Sequence, residues 1–262
     1  MGARARVLVT RPAGQSDALL AALESRGFTA EHLPMLAIEP IDPLPGAQRQ
    51  RLLDLDRYDH LIFISANAAR IGLERIDEFW PQLPLGQRYW AVGASTAAVL
   101  ADAGLAAESP PGDMSSEGLL AMPGLAAPQG QRVLLVKGEG GRELLERALR
   151  ARGAEVDTLC CYRRGPAGHD PRRVQALLAG PGLDIILISS GEGLALLSGL
   201  LQPRERTNLA DTALLVVPSP RVATQAQELG WQHIVCAENA SDDAMLAAIA
   251  DRREAQLGEK QH

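Results

Sequence analysis

Short apolar runs alternate along the chain with longer stretches whose leucines recur at helical spacing. Val7-Leu8-Val9 is a β-branched, apolar run of the kind that fills a buried parallel strand. Residues 17–25 follow with Leu19, Leu20 and Leu23 on one helical face, and Gly27 is a natural stop. The pattern then predicts a strand over 61–64, a helix from about Asn67, a strand over 89–92 and a helix over 96–103 that Gly104 closes. A second round predicts strand 133–136, helix 142–152, strand 185–188, a helix near 194–201, strand 214–217 and helix 221–229. Strands alternating with helices of this length make an α/β protein whose parallel sheets are covered on both faces. Four Pro/Gly-rich segments punctuate it, 39–46, 109–112, 123–130 and 165–171, and the first and last are expected to carry the chain between domains. Residues 251–262 are almost all polar and are expected to form a flexible tail.

The two rounds resemble each other. Shifting the chain by 126 residues lays Arg6-Val7-Leu8-Val9 on Arg132-Val133-Leu134-Leu135. The same shift lays Gly14 on Gly140, Leu19 on Leu145, Arg26 on Arg152 and Gly27 on Gly153. It also brings Ala97 onto Ala223 and Gly104 onto Gly230. One offset that holds across separated segments reads as two similar halves.

Composition narrows the function. The chain has 262 residues, 46% of them hydrophobic, which is enough for real cores and excludes long disorder. Aromatic residues make up only 3% and the formal net charge is −6, so neither a stacking platform for single strands nor general nucleic-acid binding is expected. The longest apolar runs, 185–188 and 213–217, are far too short to span a bilayer, and no signal-peptide core follows the first strand. Three cysteines with one adjacent pair are no disulfide framework, and they suit a reducing cytoplasm. The five histidines are scattered, so no metal site is expected. There is no Gly-x-x-x-x-Gly-Lys-Ser/Thr and no Gly-x-Ser-x-Gly.

Candidate chemistry follows from the fold class, because open parallel sheets bind ligands beyond the carboxyl ends of their strands. Those loops read Thr10-Arg11-Pro12, Ser65-Ala66-Asn67, Gly93-Ala94-Ser95-Thr96, Lys137-Gly138-Glu139-Gly140-Gly141, Ser189-Ser190-Gly191 and Pro218-Ser219-Pro220-Arg221. Free N–H groups at helix starts make good anion sites. Ser65, Thr96 and Ser219 each have two readings, a ligand contact or an ordinary N-cap. The 137–141 segment lacks the second spacing of a dinucleotide fingerprint and reads first as a strand-to-helix turn. Arg11 and Lys137 hold equivalent places in the two halves, which favours a shared anion role over solvated surface charge. Tyr162 lies in the segment 158–164 that closes the repeat unit. A phenol there is either a mild general acid, with a reference pKa of about 10, or a structural tyrosine bonded to backbone. If the segment is a strand, Cys160 and Cys161 point to opposite sides and one of them is buried and inert.

Taken together these residues resemble the uroporphyrinogen-III synthase family. The resemblance rests on Val7-Leu8-Val9-Thr10-Arg11-Pro12, on Leu33-Pro34 before Ile38-Glu39-Pro40, and on Phe63-Ile64-Ser65-Ala66-Asn67-Ala68. It continues through Val92-Gly93-x-x-Thr96-Ala97, the glycines of 138–141 before Arg142, Cys161-Tyr162-Arg163-Arg164 and Val217-Pro218-Ser219-x-Arg221-Val222-Ala223, and it covers roughly residues 6–250. The family implies two similar parallel-sheet, three-layer domains joined by a two-stranded linker, with the first domain discontinuous. Residues 1–37 plus 167–250 would be one domain and 38–165 the other.

The resemblance implies a cofactor-free lyase. It would take hydroxymethylbilane, a linear tetrapyrrole with eight carboxylates, remove its terminal hydroxyl and invert the last pyrrole through a spiro intermediate. Closure then gives uroporphyrinogen III. Tyr162 matches the family's proton-donating tyrosine and Thr96 a cleft threonine. Val222 stands where a second threonine would fall, which leaves Ser219 or Arg221 to act there. Either Ser189 or Ser190 matches a cleft serine. The implied substrate-binding set is Arg11, Pro12, Ser65, Ala66, Asn67, Gly93, Thr96, Lys137, Gly138, Arg142, Ser189, Ser190, Gly191, Ser219 and Arg221. A monomer is expected, with no nucleic acid or membrane partner and with a transient contact to the upstream deaminase. The competing readings are a non-catalytic bilobed protein binding a small anion and a glycosyltransferase, the latter disfavoured by the missing nucleotide signals. The net charge does not exclude an anionic substrate. It governs solubility and long-range steering, while the expected site loops carry Arg11, Lys137, Arg142, Arg163, Arg164 and Arg221.

Overall fold

A computed structural model describes residues 4–112, 114–141, 143–178 and 182–259. The chain begins with β1 (Arg6–Val9), α1 (Asp17–Ser25), β2 (Thr29–His32), β3 (Leu36–Pro40) and α2 (Gly46–Leu53). It continues with β4 (His60–Phe63), α3 (Ala66–Asp77), β5 (Arg88–Ala91), α4 (Ala94–Asp102), β6 (Ala107–Glu108) and α5 (Ser116–Leu120). Then come β7 (Arg132–Gly138), α6 (Leu144–Ala151), β8 (Glu155–Pro166), α7 (Pro171–Leu178) and β9 (Leu183–Leu187). The last elements are α8 (Gly191–Leu200), α9 (Pro203–Thr212), β10 (Leu214–Val217), α10 (Pro220–Glu228), β11 (Ile234–Cys236) and α11 (Asp242–Glu259).

The residues up to Ala37 and those from Gly165 onward form one compact unit, and Ile38–Arg164 form another. In the first unit the sheet order is β11-β10-β9-β1-β2, with every adjacent pair parallel. Period-two alternation divides its strands between two cores. Val7, Val9, Ile185, Leu187 and Val216 point to the side of α1 and α11, where Leu19, Leu23, Met245 and Ile249 meet them. Leu8, Ile186, Leu215 and Val217 point the other way, onto Leu194 and Leu197 of α8 and Val222 of α10. Leu19 and Leu23 are fully buried, and each contributes roughly 1.5–3 kcal/mol over exposure.

The second unit carries a six-stranded sheet in the order β3-β8-β7-β4-β5-β6. From β8 to β6 its strands pair in parallel. Leu61, Phe63, Leu134 and Val136 pack under α3 and α4. Ile62, Trp90, Val133 and Leu135 pack under α5 and α6. Gly72 lets α3 approach β7, since a Cβ there would stand 2.5 Å from Val136 Cγ1. The chain passes between the units within β3 and again near the end of β8, which are neighbouring strands. They run in opposite senses, for Ala167 N bonds Met35 O while Ile41 N bonds Cys161 O.

The repeat offset survives in the elements. Moving β5 and α4 by 126 residues gives the bounds of β10 and α10. In the second unit, β7-α6-β8 come last in the chain, whereas their counterparts β1-α1-β2 come first. The apolar pattern finds the central strands and their helices to within a few residues. It passes over α2, α7 and α9, which bury little, β8, whose C-terminal half is polar, and α11, although that helix buries Met245, Leu246, Ala248 and Ile249. Over 251–259 the expected tail is helical backbone, a continuation of α11, and 260–262 lie outside the described residues. No helix among the described residues is long and apolar enough to cross a membrane.

Candidate functional site

Tyr162 is placed by a fault in the pairing of β7 with β8. Lys137 pairs with Cys160, but the next residue, Gly138, pairs with Tyr162. Cys161 is therefore the extra residue of a β-bulge, a device that bends a strand and re-aims its side chains. Its thiol is buried and donates weakly to the Lys137 carbonyl at 3.4 Å. Burial pushes the Cys161 thiol up to about 12. Beyond the bulge the Tyr162 carbonyl accepts from Glu139 N at 2.8 Å. The Tyr162 phenol lies 3.2 Å from Ser65 Oγ. Ser65 is the N-cap of α3, and the same oxygen accepts from Ala68 N at 3.1 Å. Gly138 lies under the ring, where a Cβ would stand 2.6 Å from Tyr162 Cε2 and Cζ.

These groups border a cavity of about 430 Å³ at the carboxyl ends of β4 and β7. Ser65, Lys137, Gly138 and Tyr162 line it together, and Ser115, Ser116, Glu117, Glu139, Glu146 and Arg164 add to its polar wall. Ser115 caps α5 by accepting from Gly118 N at 3.1 Å. Glu146 pairs with Arg150 at 2.7 Å and Arg163 with Glu139 at 3.6 Å. Among the described residues Lys137 has no carboxylate within ion-pair reach. Ala66 and Asn67 form the first turn of α3 and do not line the cavity. Gly93 is the N-cap of α4, and Thr96, 2% exposed, is buried in that helix's first turn away from the cavity lining. Arg142 lies outside the described residues.

In the first unit, corresponding loops sit at the ends of β1, β9 and β10. The Arg11 guanidinium pairs with Asp242 and donates to the Ala240 carbonyl, tying the end of β1 to the start of α11. Pro12 follows it, half-buried. Of the two serines, Ser190 is the N-cap of α8, accepting from Gly193 N at 3.1 Å, and Ser189 caps nothing. Gly191 is buried, and its carbonyl accepts from Gln225 Nε2 at 2.9 Å. Ser219 occupies the N-cap position of α10 without a side-chain bond to it. Arg221 is exposed, with Nη1 3.5 Å from where a Gly191 Cβ would be.

Ser115, Ser116, Glu146 and Gln225 lie outside the loops that the sequence marks. Only Ser115-Ser116-Glu117 carried a local sign, that of a helix start. Among the described residues no group of three or more His, Cys, Asp or Glu could hold a metal ion.

A family model described as uroporphyrinogen-III synthase HemD matches residues 17–247. The chain belongs to the uroporphyrinogen-III synthase family. Uroporphyrinogen-III synthase of Escherichia coli is 36% identical over 247 residues, covering 93% of this chain and 99% of that protein. The Synechococcus elongatus synthase is 29% identical over 255 residues and covers 93% of each. Among solved structures, the Helicobacter pylori synthase superposes with a TM-score of 0.60 at 14% identity over 95% of this chain and 99% of that one. A mutant synthase of Thermus thermophilus gives 0.57 at 23% identity, covering 96% and 99%. These likenesses establish the same α/β fold with parallel sheets. By family the chain is an enzyme of the uroporphyrinogen-III synthase type, a cyclising lyase of tetrapyrrole biosynthesis.

Proposed function

We propose that the chain closes hydroxymethylbilane into uroporphyrinogen III, with inversion of the last pyrrole ring and release of one water, and that Tyr162 donates the proton that carries the hydroxyl away. The observation that carries this reading is the Tyr162 phenol, held against Ser65 over a cavity whose wall includes Lys137, which no described carboxylate pairs. Leaving hydroxide is a poor departure. Protonation as the C–O bond breaks releases water and leaves an azafulvenium-like cation. The terminal pyrrole attacks that cation through its substituted carbon, the resulting spiro ring fragments and recloses inverted, and loss of a proton restores the pyrrole. Positioning supplies most of the remaining barrier reduction, since the chain must be folded so that the substituted carbon meets the cation.

Lys137, Arg142 and Arg221, with the free N–H groups at the starts of α3, α4, α8 and α10, are proposed to hold the substrate carboxylates. Ser189, Ser190, Gly191, Ser219, Gly93, Thr96, Ala66, Asn67 and Pro12 would shape the loops that present those groups. No cofactor enters this scheme. Residues 1–37 plus 167–250 and residues 38–165 are proposed as the two domains, with β3 and β8 as the two-stranded linker. The enzyme would act as a cytoplasmic monomer. It would take its unstable substrate from the upstream deaminase through a transient contact.

The test is turnover. Freshly made hydroxymethylbilane is supplied, and the oxidised products are separated by isomer. The type III isomer is expected. A product mixture identical to spontaneous closure, which gives type I, overturns the reading.

A further inference from the structure

We propose that Gly138 is a positioning residue for Tyr162: by lacking a side chain under the ring, it lets the bulge at Cys161 lay the phenol against Ser65. This rests on the proton-donor reading of Tyr162 given above. Three observations converge on it. The register between β7 and β8 slips by one residue at Gly138 itself. The slip turns Tyr162 over Gly138, and the ring fills the space where any Cβ would lie, with Cε2 and Cζ at 2.6 Å and Cδ2 at 3.1 Å from that point. The far end of the same ring is fixed by Ser65, whose oxygen is itself fixed by Ala68 N.

The glycine is not needed for its backbone. Gly138 is absent from the glycines with positive φ, whereas Gly140 and Gly141, two and three residues on, have φ of 71° and 84°. An alanine at 138 therefore suits the strand, and what it disturbs is the ring. A contact at 2.6 Å falls about an ångström short of ordinary carbon–carbon separation, so the ring must move by about that much. Its tether to Ser65, already 3.2 Å long, would then be lost.

The bond network also says what Ser65 contributes. One lone pair of its oxygen is taken by Ala68 N–H. If its own proton goes to the phenol oxygen, the phenol O–H is left pointing at the cavity, oriented as a donor. Gly138 and Ser65 thus hold opposite ends of one ring, and the glycine decides whether the serine can reach it.

The experiment uses the full chain with Gly138→Ala, Tyr162→Phe and the double variant. The chain has only three tyrosines, so tyrosine labelled with carbon-13 at Cζ gives three signals, and Tyr162→Phe assigns one of them. Gly138→Ala is expected to shift the Tyr162 signal while leaving Tyr58 and Tyr89 in place. It should lower kcat by roughly ten- to a hundredfold with KM within about twofold, as for a displacement of one ångström at a reacting group. In the Tyr162→Phe background Gly138→Ala should cost nothing further in kcat, because a phenol that is absent cannot be misplaced. An unmoved Tyr162 signal, or an equal loss in both backgrounds, overturns the proposal. Full turnover by Tyr162→Phe overturns instead the proton-donor reading, and the signal shift then still reports the packing. Should Gly138→Ala fail to fold, Gly138→Ala/Tyr162→Ala decides: a folded double variant locates the fault in the ring contact and supports the proposal, and an unfolded one overturns it.

Discussion

Two tyrosines of the second unit show how surroundings decide what a phenol can do. Tyr58 is buried, donates to Asp157 Oδ2 at 2.9 Å and has the Arg132 guanidinium 4.7 Å above its ring. Burial and the neighbouring carboxylate raise its pKa, so its proton is held fast. Tyr162, also buried, instead faces the Ser65 hydroxyl and borders the cavity. Tyr162→Phe should therefore lower turnover of hydroxymethylbilane roughly a hundredfold or more, the usual range for a lost general acid, with the circular dichroism unchanged. Undiminished turnover would return Tyr162 to a structural role. At this scale the sequence showed which tyrosine to watch, but not why its ring sits where it does. The bulge is a relation between two strands, and no local pattern in either encodes it. Arg11 was unreadable for a similar reason, since Asp242, the carboxylate that binds it, comes from a distant part of the chain.

Between elements, close approach is the recurring device. Gly72 stands mid-helix in α3, a place where glycine costs about 1 kcal/mol relative to alanine in an exposed helix. Here it admits Val136 of β7, so that α3 lies directly on the strand leading to Lys137 and Gly138. Gly72→Ala is expected to destabilise the protein by about 1–3 kcal/mol despite the better helix propensity, and Gly72→Ala/Val136→Ala should recover part of that. Urea unfolding of the three proteins checks it, and a more stable Gly72→Ala would refute it. The strongly apolar elements were legible because burial on both faces writes a continuous run. α2 and α9, whose apolar residues do not recur at helical spacing, were not. α9 contributes only Leu209 and Ala210 to the core and is held at its start by Pro203 and a capping box between Gln202 and Glu205. β8 is half polar because its last residues, mostly exposed from Arg163 on, carry the chain out of the second unit.

Over the whole molecule, the two sheets share a strand order but take their strands from the chain differently. Residues 38–164 contain β4 to β7, all but the last two residues of β8, and both cores of their sheet. That segment alone should fold cooperatively, as read by thermal melting and amide exchange. Residues 165–262 alone should not, because they lack β1, which pairs with β9 and fills both cores of the first sheet. Adding a peptide of residues 1–37 should restore order. An independently folded 165–262, or an unfolded 38–164, would count against this division. The repeat offset made the two halves legible from sequence, and the family resemblance implied a discontinuous first domain; the offset by itself does not say which copy of β1 pairs with β9.

The placement of β1 also bears on how the protein leaves the ribosome. This strand ends at Val9, yet its partner β9 begins only at Leu183. At ~5–20 residues per second, the interval between them is roughly ten to thirty-five seconds. For that time β1 has one hydrogen-bonding edge and two apolar faces without their final cover, while the middle of the chain is synthesised and can fold first. Nascent chains stalled between residues 165 and 183 are thus the ones most exposed to chaperones and to pairing with a neighbour.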